Sequence, residues 1–306
     1  MNIPVGIAKS WVFLLLAAGL PPAVGAPLAA EVSVWPKTSV ERPEFTTHAL
    51  VLRDGALLAY YIRPGSGPTL VLIPETNGDR AQFFMDEFLS AIDSQFRLVL
   101  IETRGQGRSW PPPTATQATI ENYAEDVLEI VRHLALDGWY VCGHSLGGMT
   151  AIEIAGRRPA GLRGVIPLEG WVHSRVSSMA FTSQPNRTEA QMTEARRERE
   201  VRYLSHRWTA DEYALLTGMW RAWTRGETIM HATEYPFLAI WGDRGMAQRP
   251  SLELLLLPDK PSIQIKWIGG SGHQVTAPRF AGEVATAING FITQVEAGYG
   301  GQQSKP

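Results

Sequence analysis

The stretch with the clearest chemical meaning is Gly143-His144-Ser145-Leu146-Gly147. It fits the pattern Gly-x-Ser-x-Gly. A short apolar run, Trp139-Tyr140-Val141-Cys142, leads into it, and apolar residues at helical spacing follow (Met149, Ile152, Ile154, Ala155). That order predicts a buried strand, a tight turn bearing the serine, and then a helix. Any side chain larger than hydrogen at positions 143 and 147 would collide with so sharp a turn. The turn lifts the Ser145 hydroxyl out of the sheet. The N–H groups of the following helix then point at any negative charge that develops beside it. Cys142, the single cysteine, lies in the same strand. One cysteine allows no internal disulfide, and at this place it reads as a small buried hydrophobe rather than a reactive thiol.

The chain has 306 residues, 44% of them hydrophobic, and a net charge of -2. No charge excess points to nucleic acid or to an acidic surface as a partner. The first thirty residues read as a targeting segment. Lys9 supplies a positive start, residues 11–20 are an apolar run too short to span a bilayer, and Pro21-Pro22 with small residues follow. Cleavage near Ala26 or Ala30 is expected, giving a secreted or periplasmic protein with no membrane association once the signal is removed. Mass spectrometry of the exported protein tests this; an intact Met1 on a cytosolic protein would overturn it.

Several further elements must position the serine. Residues 48–53 and 56–62 alternate in polarity around Asp54-Gly55, a hairpin signal. Residues 69–73 and 96–101 are continuous apolar runs, suited to strands covered on both faces. Residues 79–92 and 120–136 have helical apolar spacing. Beyond the serine, 164–168, 237–241 and 263–268 read as further buried strands, and 280–295 as a closing helix followed by a disordered tail. The alternation predicts an α/β fold, a mostly parallel eight-stranded sheet with helices on both faces. Residues 31–306 form this domain, and about 172–234 interrupt it as a small helical cap. The cap holds the charged run 194–200 and the aromatic residues Trp208, Tyr213, Trp220 and Trp223. The charges read as a solvated helix face. The tryptophans are either the core of the cap or the wall of a substrate pocket. Asn186-Arg187-Thr188 fits a glycosylation acceptor, relevant only in a eukaryotic host.

With the serine motif in this setting, the chain after its signal segment resembles the α/β-hydrolase superfamily. A second motif supports the resemblance. Glu102-Thr103-Arg104-Gly105-Gln106-Gly107-Arg108-Ser109 resembles the Asp-x-Arg-Gly-x-Gly-x-Ser loop that follows the fourth strand in many members, with Glu replacing Asp. The resemblance implies that Ser145 is a nucleophile and that His273, in Gly269-Gly270-Ser271-Gly272-His273, is its base. A serine hydroxyl needs such a base near neutral pH. His173, just past the sixth strand, is the rival. The resemblance also implies an oxyanion hole made by the backbone N–H of Leu146 and an N–H after the third strand. Many members carry His-Gly there; this chain has Pro74-Glu75-Thr76-Asn77-Gly78. By position the donor is Thr76, with the Asn77 side chain as a substitute. Glu75 is expected to point away or to bond to the loop backbone, because a carboxylate facing the oxyanion would oppose catalysis.

The acid that orients His273 departs from the common pattern. Many members place it after the seventh strand, in a loop like Gly-Asp-Arg-Asp. Here that loop is Gly242-Asp243-Arg244-Gly245, with glycine at the expected position. Glu169, at the end of the sixth strand, is the first choice. Certain dehalogenases and zearalenone lactonases of the superfamily use that position. Asp243 is the alternative, and a role for Glu169 in capping the loop or pairing with an arginine is the plainer reading.

The resemblance therefore implies a serine hydrolase that needs no cofactor or metal and acts on a small ester-type substrate, an ester or a lactone, through an acyl-enzyme. Cleavage of an amide or carbon–carbon bond, or a non-catalytic binding protein on the same scaffold, are the alternatives.

Overall fold

A computed structural model describes residues 42–76, 83, 85–172, 176, 209–243 and 255–303. The expected signal segment, Asn77, His173, Asn186, the charged run 194–200, Trp208, Arg244 and Gly245 lie outside the described residues.

Strands β1 (Thr46–Val51) and β2 (Leu57–Arg63) form the hairpin foreseen around Asp54-Gly55. Gly55 sits at φ 86°, a left-handed conformation that glycine reaches without steric cost. The sheet continues through β4 (Arg97–Ile101), β3 (Thr69–Ile73), β5 (Trp139–His144), β6 (Leu162–Leu168), β7 (Phe237–Gly242) and β8 (Ile263–Ile268). Its order is β1-β2-β4-β3-β5-β6-β7-β8, antiparallel from β1 to β4 and parallel from there on.

Every residue of β3 and of β5 is buried, because helices cover both faces of the sheet. The period of two along a strand sorts the side chains between two cores. Val71, Ile73, Val99 and Val141 join one core with α2 (Ile120–His133) and α3 (Leu146–Gly156). Leu70, Leu72, Leu98 and Leu100 join the other with α1 (Asp86–Ala91) and α6 (Pro278–Gln303). Helix α2 turns Tyr123, Val127, Ile130 and Val131 inward, and the Thr119 side chain caps its start by accepting from the Asn122 N–H. Between β6 and β7 lie α4 (Ala210–Ala222), opened by a capping box of Thr209 and Glu212, and α5 (Gly226–Ala232).

Two element boundaries differ from expectation. The first helix starts at Asp86, later than the apolar spacing suggested, although Phe83 still packs edge-on against Phe88 at 5.3 Å. The last helix runs to Gln303, where a disordered tail was expected. Glu296 accepts from the Tyr140 hydroxyl at 2.6 Å and pairs with Arg163 at 2.7 Å, which ties the helix to the sheet just past its last apolar residues.

The loop after β4 is pinned by charge. The buried Arg104 pairs with Asp126 of α2 and with Asp54 of the hairpin turn, each at 2.7 Å. Glu102 accepts from the Tyr61 hydroxyl at 3.0 Å and from the Arg108 N–H at 2.7 Å. Cys142 is fully buried and unbridged, and burial pushes its thiol well above the usual range.

A Cβ at Gly143 would fall on the Gly147 carbonyl, both backbone atoms that cannot swing aside. Gly143→Ala is therefore expected to destabilise the protein by about 1–3 kcal/mol or more, as overpacking does. Gly290, an exposed position in α6, has open space where a Cβ would go. Gly290→Ala should stabilise by about 0.5–1 kcal/mol. Urea denaturation of the two variants checks both signs.

Candidate active site

Ser145 occupies the turn between β5 and α3 with φ 53° and ψ -113°. A non-glycine residue there is strained, and surrounding contacts must hold it. The Ser145 N–H donates to Leu168 O at 2.8 Å, so the neighbouring strand fixes the turn. The close approach of Gly147 to the Ile73 carbonyl brings the end of β3 against the start of α3. Leu146 opens α3, so the helix itself offers its N–H no carbonyl four residues back.

His273 follows β8 through Gly270, which has φ 73°. Its Nε2 lies 3.0 Å from Ser145 Oγ, and its Nδ1 lies 3.2 Å from Glu169 Oε2. Glu169 directly follows β6, with φ 52° and its side chain 1% exposed. The Glu169 N–H donates to Ile240 O at 2.8 Å, and its second carboxylate oxygen accepts from the Gly242 N–H at 2.5 Å. A carboxylate only accepts, so Nδ1 of His273 carries a proton and the Nε2 lone pair faces the serine hydroxyl. Partial burial pulls His273 toward the neutral form, but the hydrogen bond and charge of Glu169, with the charge of Glu75, outweigh it and raise its pKa. The arrangement can draw the proton from Ser145 and hold the resulting imidazolium.

Asp243, the alternative acid, accepts from the Gly270 N–H at 2.7 Å and so braces the loop that carries His273. Thr76 is buried just beyond β3, and its hydroxyl has no hydrogen-bond partner among the described residues. By position its backbone N–H is the donor expected on the β3 side. The Glu75 carboxylate accepts from the Gln274 amide at 2.8 Å and lies 3.5 Å from His144 Nδ1. His144 is fully buried beneath the site, its ring centroid 5.1 Å from that of His273. Glu75, His144 and His273 offer ligand atoms within 4.8 Å of one another, the spacing of a potential metal group. These residues come from the end of β5 and from two loops, which is why no spacing in the sequence announced them.

Trp171 packs against His273, with ring centroids 6.2 Å apart, and meets Trp220 of α4 edge-on at 6.0 Å. Trp223 is buried in the hydrophobic core, while Trp220 is only half-buried. Trp171, not singled out beforehand, thus links the histidine to the segment between β6 and β7. Its place two residues after Glu169 was the signal available.

Residues 68–244 match the family described as alpha/beta hydrolase fold. The chain belongs to this family. A protein of Agrobacterium fabrum named as carbamate hydrolase RutD is 33% identical over 104 residues, covering 34% of this chain and 39% of the relative. The 3-oxoadipate enol-lactonase 1 of Acinetobacter baylyi is 32% identical over 108 residues, again covering 34% and 39%. The matches therefore span well under half the length of these relatives. A crystal structure of an enol-lactonase from Burkholderia xenovorans superposes with a TM-score of 0.60 at 20% identity, covering 80% of this chain and 99% of that one. Its likeness concerns the α/β-hydrolase fold.

The raised His273 pKa has a direct test. NMR titration of its ring should give a midpoint above the ordinary 6.5. Glu169→Gln should lower that midpoint, because the amide removes the charge that favours the imidazolium. Asp243→Asn should move it less, and the reverse ranking would give the orienting role to Asp243.

Proposed function

We propose that this α/β-hydrolase is a serine hydrolase that cleaves carboxylic esters or lactones through an acyl-enzyme. The observation that carries the reading is the continuous hydrogen-bonded chain from Ser145 Oγ through His273 to Glu169. In this reading Ser145 attacks the substrate carbonyl while His273 Nε2 takes its proton. The Leu146 N–H and the Thr76 N–H hold the oxyanion. The imidazolium returns the proton to the leaving alcohol, and water activated by His273 releases the acid. Glu169 holds the ring in the required tautomer throughout. The choice of esters and lactones draws support from the name of the enol-lactonase among the relatives.

A fluorophosphonate probe should label the protein at Ser145, and a panel of p-nitrophenyl esters, lactones and amides should show turnover among the first two. Ser145→Ala is expected to lower turnover by about 10⁶. Glu169→Gln is expected to lower it by about 10⁴, the cost of a misoriented histidine in a comparable triad. Turnover retained by Ser145→Ala would overturn the reading, and an unlabelled Ser145 would point to a binding protein on this scaffold.

A further inference from the structure

Among the described residues, nothing bonds to the hydroxyl of Thr76. The residue is 9% exposed, and its Oγ1 is buried without a hydrogen-bond partner. Other threonine hydroxyls of the chain find one close by. Thr150 donates to Leu146 O at 2.8 Å, Thr286 to Gly282 O at 2.8 Å, and Thr233 to Met230 O at 3.1 Å. A buried hydroxyl without a partner loses its hydration and gains no bond in the fold, so a valine of the same shape would serve the fold at least as well. Such an orphan calls for an explanation outside packing, either a catalytic task or a bound water.

The place of Thr76 favours the first. It belongs to the loop that leaves β3, and that loop is held against the site at two points. At residues 73 and 74 its backbone touches the start of α3, where a Cβ at Gly147 would collide with the carbonyl oxygens of Ile73 and Pro74. At Glu75 its side chain accepts from Gln274, the residue after His273, at 2.8 Å. Thr76 comes next in the chain. The loop thereby carries it toward the first turn of α3, where the helix offers the Leu146 N–H no carbonyl four residues back. We propose that the Thr76 hydroxyl is a third donor to the oxyanion, idle in the free enzyme and bonded while the tetrahedral intermediate exists. The inference rests on the serine-hydrolase reading, in which two backbone N–H groups hold that oxygen.

When Ser145 Oγ bonds to the carbonyl carbon of the substrate, its proton passes to His273 and the π pair of the C=O bond moves onto the carbonyl oxygen. A neutral acceptor becomes an anion. A backbone N–H points where the chain holds it, whereas a hydroxyl turns about its own C–O bond to meet the acceptor. Thr76 gives up no proton. It donates a hydrogen bond that is stronger to the anion than to the neutral carbonyl. A bond that grows in this way raises kcat rather than substrate affinity. It lapses when the carbonyl re-forms and the leaving group departs, and it forms again when water attacks the acyl-enzyme. Thr76 touches the reacting oxygen in this scheme and is a catalytic residue.

Two variants test this. Thr76→Val removes the hydroxyl and keeps the shape; Thr76→Ser keeps the hydroxyl. In Thr76→Val, kcat should fall by about 10²-fold with little change in KM, the lower end of what losing one oxyanion donor costs in a comparable site. Thr76→Ser should recover most of that loss. The urea midpoint of Thr76→Val should equal or exceed that of the wild type, because no bond within the protein is lost. An alkyl boronic acid, which forms a tetrahedral adduct with a nucleophilic serine, should bind Thr76→Val more weakly by a factor close to the fall in kcat. Unchanged kcat and unchanged boronic acid affinity in Thr76→Val overturn the proposal; a lowered urea midpoint beside them marks a hydroxyl that serves the fold through a bound water. A fall in kcat that Thr76→Ser does not recover overturns it as well. Fluorophosphonate labelling of wild-type Ser145 keeps the two ideas apart. An unlabelled serine defeats the hydrolase reading and this role with it. A labelled serine with unchanged kcat in Thr76→Val defeats the role of the hydroxyl alone.

Discussion

The site depends on hydrogen bonds that extend one residue beyond three neighbouring parallel strands, β5, β6 and β7. Ser145 N–H donates to Leu168 O, Glu169 N–H to Ile240 O, and Asp243 N–H to Ile268 O. Each tip is thereby referenced to the strand beside it, and the last reference lies on the strand that leads to His273. Two of the three tip residues, Ser145 and Glu169, have left-handed backbones at φ 53° and 52°. Such conformations cost roughly 1–3 kcal/mol each and persist only where the surroundings over-determine them. Here the surroundings are strands with every residue buried and turns in which glycine lets backbones touch. The strain points both side chains out of the sheet toward one histidine.

Electrostatics then divides the labour between two carboxylates. Glu169 is enclosed and would be costly if left unpaired, but it meets the Gly242 N–H and His273 Nδ1. Glu75 is partly open to solvent and bonded to an exposed amide, so its charge is screened more. The first sets the tautomer of His273, and both raise its basicity. Asp243 serves the same loop from its backbone side through Gly270. The tips of β6 and β7 are neighbours in the sheet, so carboxylates on either one lie near the loop that carries His273.

Much of this was legible because strands covered on both faces write themselves as unbroken apolar runs. Residues 69–73 coincide with β3; residues 263–268 coincide with β8, an edge strand where Gln264 and Lys266 interrupt the apolar run and burial is only partial. Elements that depend on tertiary partners were not legible in the same way. The tie between Glu296 of α6 and Arg163 spans 133 residues of the chain. The candidate site divides along the same line. Ser145 announces itself through local geometry, glycines on either side included. The contact between Glu169 and His273 spans 104 residues and was reached only by comparing strand ends. The link from Glu75 to Gln274 spans 199 residues, and no local pattern encodes it.

Cys142 lies at the heart of the β5 strand, fully enclosed and held in its thiol form by burial. Exchange with glutathione or with another protein's disulfide requires an accessible thiolate, and this sulfur offers neither access nor charge. It is also the single cysteine of the chain. The folded molecule is consequently indifferent to redox poise: the same covalent structure, and the same site, exist on the reducing and the oxidising side of a membrane.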